Sequence, residues 1–451
     1  MARVIFLFLL FTSLIAEEKI SIHSIETDQG PLDYTTAVVS GDVSYISYIK
    51  EGPDRPITFA FNGGPGSSSV WLHLGTFGPR RLISPEEGQK ITPPYPIVDN
   101  PETILDLTDI VFIDPMGTGL SNEKGEDDEK NPYSVTGDIE MISNFIRDYL
   151  TSHNRWNSPK YLAGESYGTL RAAGVAEYLQ KEHHISLNGV ILISAALDYQ
   201  TLIFDADNPL AYFLFLPTYA TTAWYHDRHY RPDATLEEVA QEARDFAFTG
   251  YASSLICRKC YDSELIHQKL AAFTGLPLSL IQRHRGRIEN EVFALELLID
   301  QKQLINGYDS RFTGYSENVF QDPTDTHLLN VFSGAFHSYL NTELDSPSSY
   351  RLLSYEVNTE WNYRNYNFWG YPSLMSGLRR TLIGNPSLKI FVGCGYFDMA
   401  TPFAAAEYCF DHLDVPNISV QMEYYEGGHM YYLNPSARKK FKQDLIRFYQ
   451  K

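Results

Sequence analysis

Gly164-Glu165-Ser166-Tyr167-Gly168 sets a serine between two glycines, with one residue on either side. Small residues at those outer positions permit a sharp strand-to-helix turn that lifts the serine hydroxyl clear of a sheet. At average Gly and Ser frequencies the pattern arises by chance in a chain of this length roughly one time in seven, so its context decides. An apolar run at 161–163 leads into it and a helical pattern follows at once. A serine at its free pKa is a poor nucleophile and needs a base, itself oriented by an acid. On an elbow of this kind the acid and then the base should come later in the chain, each at a strand end. Asp398 follows an apolar run at 388–392, and His429 follows a second run at 420–424 through Glu426-Gly427-Gly428. We therefore expect Ser166, Asp398 and His429 to act as nucleophile, orienting acid and base.

A second glycine-rich segment, Asn62-Gly63-Gly64-Pro65-Gly66-Ser67-Ser68-Ser69, follows the run at 57–61. Bare backbone N–H groups there can point at a developing oxyanion, with Gly64 as one donor and Tyr167, next after the serine, as the other. A phosphate cradle is the rival reading, but the lysine and helix spacing of a P-loop are absent. Cys257 and Cys260 have the spacing of a metal or redox pair, yet His267 and His284 lack ligand spacing, so a local disulfide or two thiols is expected. Cys394 and Cys409 read as core residues. Asp205-Ala206-Asp207-Asn208 starts like a calcium loop but lacks its glycine and distal glutamate. No metal and no cofactor is expected.

These residues need a sheet to carry them. Short apolar runs at 57–61, 110–113, 161–163 and 190–193 suit strands buried on both faces of a parallel sheet, and helical patterns at 138–151 and 169–182 lie between them. The alternation stops near 200, gives way to a helical, aromatic stretch, and resumes with runs at 388–392 and 420–424 and a closing helix from 435 to about 449. The simplest account is one α/β domain of mostly parallel sheet, in two parts at 17–199 and 346–451, interrupted by a helical insertion at 200–345.

Composition narrows the partners. With 36 Lys+Arg against 56 Asp+Glu the net charge is −20, which excludes nucleic acid, since phosphate binding needs a cationic footprint. Residues 1–16 read as a cleaved secretory signal: Arg3 is followed by an apolar run to Ala16, too short to span a bilayer. The chain is thus expected to be exported, periplasmic or secreted, without stable membrane insertion after cleavage. No motif for an oligomeric state is legible. The acidic patch 126–129 reads as a solvated loop.

Asn62–Ser69, Gly78-Pro79, Asp114-Pro115-Met116-Gly117-Thr118-Gly119, Gly164–Gly168, Asp398 and Gly428-His429-Met430 together resemble the serine carboxypeptidase family. The resemblance implies an α/β-hydrolase fold with a helical cap. It also implies removal of C-terminal residues from peptide substrates, usually best at acidic pH. It further implies that Asn62 and Glu165 recognise the substrate's terminal carboxylate, the amide and a protonated carboxyl both donating. Two positions depart from the family pattern. A second glutamate expected shortly before the Gly-Pro is replaced, by spacing, by Thr76, and the cysteine after GGPG is Ser67. The wording of the motifs is similar to the bacterial branch. Arg80 and Arg81 read as surface charges and the aromatic stretch 363–371 as packing. An esterase or acyltransferase would use the same triad without a terminal-carboxylate site.

Overall fold

A computed structural model describes residues 18–27, 30–84, 92–125, 131–257, 259–315, 328–363 and 370–450. The signal segment 1–16 and the acidic patch 126–129 lie outside them, as does most of 363–371. Among the described residues the main sheet has nine strands: β1 (Glu18–Thr27), β2 (Gly30–Val39), β3 (Ser44–Ile49), β4 (Ile57–Phe61), β5 (Asp109–Asp114), β6 (Lys160–Ser166), β7 (Gly189–Ala195), β8 (Lys389–Gly395) and β9 (Ser419–Tyr425). Their spatial order is β1-β2-β3-β5-β4-β6-β7-β8-β9. From β5 to β9 every pairing is parallel. The β1, β2 and β3 pairings are antiparallel and extend one edge. The sequence reading assigned no strands to that edge. β1 is paired on one side only and alternates between exposed and half-covered residues, so its apolar signal is weak.

The parallel strands read as continuous apolar runs because both their faces are covered. Phe59, Val111, Leu162, Val190 and Val392 join one core; Ala60, Phe112, Ala163, Ile191 and Phe391 join another on the opposite face. The first core is closed by α1 (Val135–Ser152) and α2 (Tyr167–Glu182), α1 starting where the Ser134 side chain accepts from the Gly137 N–H. The second is closed by Phe441, Leu445 and Phe448 of the final helix Pro435–Gln450 and by Phe332, Phe336 and Tyr339 of the helix Asn330–Thr342. Described elements between 200 and 345 are helices apart from a short antiparallel ladder pairing Gln303–Ile305 with Thr313–Tyr315. No helix of the described residues is long and apolar enough to cross a membrane.

The consequence for chemistry is positional. β4, β6, β8 and β9 run parallel, so their C-terminal ends lie along one edge of the sheet. The turns that leave them carry Asn62, Ser166, Asp398 and His429.

Candidate active site

Ser166 closes β6 with φ 59° and ψ −130°, and Tyr167 opens α2 directly after it. A non-glycine residue held at positive φ costs about 1–3 kcal/mol and persists only where the surroundings enforce it. Here they do. A Cβ on Gly164 would stand 2.2 Å from the Gly168 carbonyl oxygen, and one on Gly168 would stand 2.9 Å from that of Phe61. The glycines of the motif are what let strand, turn and helix approach so closely. Gly63 extends the same contact to the neighbouring loop, since a Cβ there would meet the Tyr167 nitrogen at 2.5 Å. The loop after β4 is therefore laid against the start of α2, with Gly63 beside the N–H of Tyr167.

Asp398 and His429 leave adjacent strands and meet. His429 Nδ1 lies 2.9 Å from Asp398 Oδ2, with both side chains buried. A carboxylate oxygen only accepts, so Nδ1 carries the proton and Nε2 holds the free lone pair. Asp398 is itself fixed: Oδ1 accepts from the N–H groups of Ala400 (2.9 Å) and Thr401 (2.8 Å), and Oδ2 accepts from the Thr401 hydroxyl at 2.7 Å. His429 is held by its backbone, donating its N–H to Tyr308 O at 2.6 Å and accepting from Ser194 Oγ at 2.7 Å. Burial works against the imidazolium, but the Asp398 carboxylate, and after it Glu165, outweigh burial and raise the His429 pKa.

Asn62, Gly64, Glu165, Ser166 and His429 line one cavity, with Trp71, Tyr308 and Met430 on its apolar wall. Five of the seven residues singled out from the sequence thus share a surface. Asp398 lies behind His429, and Tyr167 contributes its main chain from the helix start. Glu165 is 3% exposed. Burial pushes its carboxyl up to about 7, against the opposing pull of His429 and of hydrogen bonds from Tyr432 and Asn62. Thr76 is buried in the one-turn segment His73–Phe77 and does not line the cavity. Ser67, in place of the family cysteine, accepts from Trp71 Nε1 at 2.7 Å. Arg80 pairs with Asp99 and Glu343 and is not part of the cavity lining. Cys257 and Cys260 form a disulfide, and Cys394 and Cys409 are buried thiols. Among the described residues no group of three or more His, Cys, Asp or Glu is placed to hold a metal.

One part of the site escaped the sequence reading. Arg171, one turn into α2, is 1% exposed, and its Nε donates to both oxygens of the fully buried Asp138 on α1, at 3.0 and 2.8 Å. Its Nη1 donates to the Asn62 carbonyl at 2.5 Å. The guanidinium also faces the rings of Phe61 and Tyr167. It therefore ties the glycine-rich loop to the elbow helix. The usable signal was an arginine within the otherwise small and apolar stretch 170–176. Arg171→Met should strand Asp138 in the core and cost about 3–5 kcal/mol in urea unfolding. Burial already pushes the Asp138 carboxyl upward, so the variant should take up a proton there. Arg171→Met/Asp138→Leu should recover a large part of the loss, and no recovery would show that the cost lies in packing rather than in the unpaired charge.

A sequence model of the family described as "Serine carboxypeptidase" matches residues 45–431. A carboxypeptidase Y homolog from Arthroderma benhamiae is 29% identical over 169 residues, 35% of this chain and 31% of that protein. The lysosomal protective protein of Mus musculus is 26% identical over 176 residues, 38% of this chain and 33% of that protein. The matched parts span about a third of those curated relatives. Among solved structures, a prohormone-processing carboxypeptidase from Saccharomyces cerevisiae, Kex1, aligns with TM-score 0.55 at 15% identity, covering 96% of this chain and 91% of that one. The fold is that of the α/β-hydrolases, and with a family match reaching from β3 to the turn beyond His429, the chain belongs to the serine carboxypeptidase family.

Proposed function

We propose that the protein is a serine carboxypeptidase that removes C-terminal residues from peptides outside the cytoplasm. One observation supports this best: a buried carboxyl with a pKa near neutrality and a side-chain amide, Glu165 and Asn62, share a cavity with Ser166 and His429. In the proposed reaction Ser166 Oγ attacks the scissile carbonyl while His429 Nε2 takes its proton. The N–H groups of Gly64 and Tyr167 receive the oxyanion. His429 returns the proton to the leaving amine, and water, with His429 as base, then releases the acyl group from Ser166. Asp398 keeps the imidazole in the required tautomer and stabilises its cation. Asn62 and protonated Glu165 hold the terminal carboxylate of the departing residue. The apolar N-terminal run and the disulfide suit an exported protein.

The deciding measurement compares a peptide with its C-terminally amidated twin. Turnover of the free acid alone is the expected result; equal turnover of both would select an esterase or endopeptidase using the same triad. A second prediction follows from the Glu165 pKa of about 7. Below that pH the carboxyl is neutral and donates to the ligand; above it, an ionised Glu165 repels the substrate's carboxylate. KM for free-acid peptides should therefore rise as pH passes 7, by up to about tenfold per unit. Glu165→Gln should flatten that rise between pH 5 and 8, because an amide donates at every pH. An unchanged KM profile in the variant would remove Glu165 from the carboxylate site.

A further inference from the structure

Tyr432 lies three residues beyond His429 in the short turn Tyr431–Leu433 and is fully buried. It does not line the cavity, yet its hydroxyl donates to Glu165 Oε2 at 2.5 Å. The ring is seated against the segment carrying Thr76: a Cβ on Gly75 would stand 2.5 Å from Tyr432 Cε2, so only glycine leaves room for it. Asn62 is fixed independently. Its Oδ1 accepts from the Leu72 N–H at 3.1 Å, and a backbone N–H can only donate, so the amide orientation is determined and Nδ2 is the free donor. That donor lies beside Glu165 and the Tyr432 hydroxyl.

Resting on the reading of Glu165 as the carboxylate-binding acid, we propose that Tyr432 is a positioning residue for that site. Its phenol occupies Oε2, so the proton with which Glu165 greets a carboxylate ligand is confined to Oε1. The arrangement does with one carboxyl and one phenol what a pair of carboxyls could do, and a phenol stays protonated throughout the working range: burial, and then the Glu165 carboxylate, push the Tyr432 pKa well above its usual value. The phenol adds no titration of its own to the site, whose pH response is that of Glu165 coupled to His429.

The groups facing Glu165 are His429 from the turn after β9, Asp398 from the turn after β8, Asn62 from the loop after β4, and Tyr431 and Tyr432. Donation from Tyr432 favours the ionised form, as do Asn62 and the His429 cation, while burial and Asp398 oppose it. Removing the phenol hydroxyl must therefore move the transition upward in pH.

The test measures the Kd of a blocked dipeptide with a free C-terminus against pH in Ser166→Ala, by calorimetry, with and without Tyr432→Phe. The phenylalanine ring keeps the packing on Gly75. The expected result is a weakening of binding with rising pH whose midpoint rises by about one unit in the Phe variant, which makes binding about tenfold tighter, relative to its own acid limit, at pH values above the original midpoint. Adding Glu165→Gln should flatten both curves. A midpoint unchanged by Tyr432→Phe, in a parent that prefers the free acid to its amide, overturns the role of Tyr432 and leaves the carboxypeptidase reading intact. A parent indifferent to amidation overturns both. Infrared difference spectra of Tyr432-intact protein, with Glu165→Gln as reference, supply a readout that needs no Tyr432 variant. On acidification the Glu165 C=O stretch should appear at a hydrogen-bonded frequency, and a free carbonyl frequency would also overturn the proposal.

Discussion

Ser166→Ala should lower kcat on a free-acid peptide by on the order of 10⁶-fold, leaving the residual rate that binding and oxyanion stabilisation alone provide. The effect is this large because no alternative nucleophile is in position. His429 is committed through Nδ1 to Asp398, and the hydroxyl of the other lining serine, Ser67, is bound to Trp71 Nε1. The fold should survive intact. Alanine meets the same positive-φ turn that serine already adopts, and the half-buried hydroxyl is replaced by a methyl of nearly the same size. Thermal unfolding should therefore shift by no more than a few degrees while turnover vanishes. Peptide binding, with its rise in Kd above pH 7, should persist, because Asn62 and Glu165 are untouched. More than about a tenth of wild-type kcat, in protein shown by mass to carry the substitution, would end the assignment of Ser166 as nucleophile.

The expectation of acidic operation sets a problem that these contacts address. A histidine base must be neutral, and Asp398 raises the His429 pKa. Glu165 is the second group that raises it, and His429 in turn is the strongest influence holding the Glu165 pKa down. The two are therefore coupled: a proton placed on Glu165 removes the negative charge that helps hold a proton on His429. As pH falls through 7, protonation of Glu165, which would ready the proposed carboxylate site, also makes the imidazole easier to keep neutral. The pair should titrate with macroscopic pKa values that belong to neither residue alone.

What the sequence disclosed and what it hid differ by range. The elbow, the glycine-rich loop and the order Ser166, Asp398, His429 were legible because glycine spacing, apolar runs and chain order are local marks. The sheet was legible where strands are covered on both faces, as in β4 to β9, and missed at β1 to β3, where exposure dilutes the pattern. Contacts made only by folding were hidden. Arg171 and the Asn62 carbonyl are 109 residues apart, and Tyr432 and Glu165 are 267 apart. No periodicity links such positions, although a lone arginine in an apolar helix is a local conflict that calls for a buried partner. Thr76 shows the limit in the other direction. Its departure from the family pattern was readable, but the phenol packed beside Gly75 was not.

Asp398→Asn should be nearly as damaging as loss of the serine, and the hydrogen bonds say why. In the wild type Oδ1 accepts from two backbone N–H groups, those of Ala400 and Thr401. Neither can accept, so in the variant the amide oxygen must remain at that position and the NH₂ must take the place of Oδ2. The new donor then faces His429 Nδ1 and the Thr401 hydroxyl. The hydroxyl can turn and accept. The imidazole can only respond by offering the Nδ1 lone pair, which moves its proton to Nε2, the atom that should receive the proton of Ser166. A base in the wrong tautomer is no base, and kcat at neutral pH should fall by about 10⁴-fold. Losing the carboxylate also removes the main influence raising the His429 pKa, so burial prevails and imidazolium should form only at lower pH than in the wild type. KM should keep its rise above pH 7, since Glu165 still titrates. Nitrogen NMR of the labelled histidine should show a protonated Nε2 in the variant and a protonated Nδ1 in the wild type. A fall in kcat of less than about tenfold, or an unchanged tautomer, would mean that Asp398 holds the loop rather than the proton.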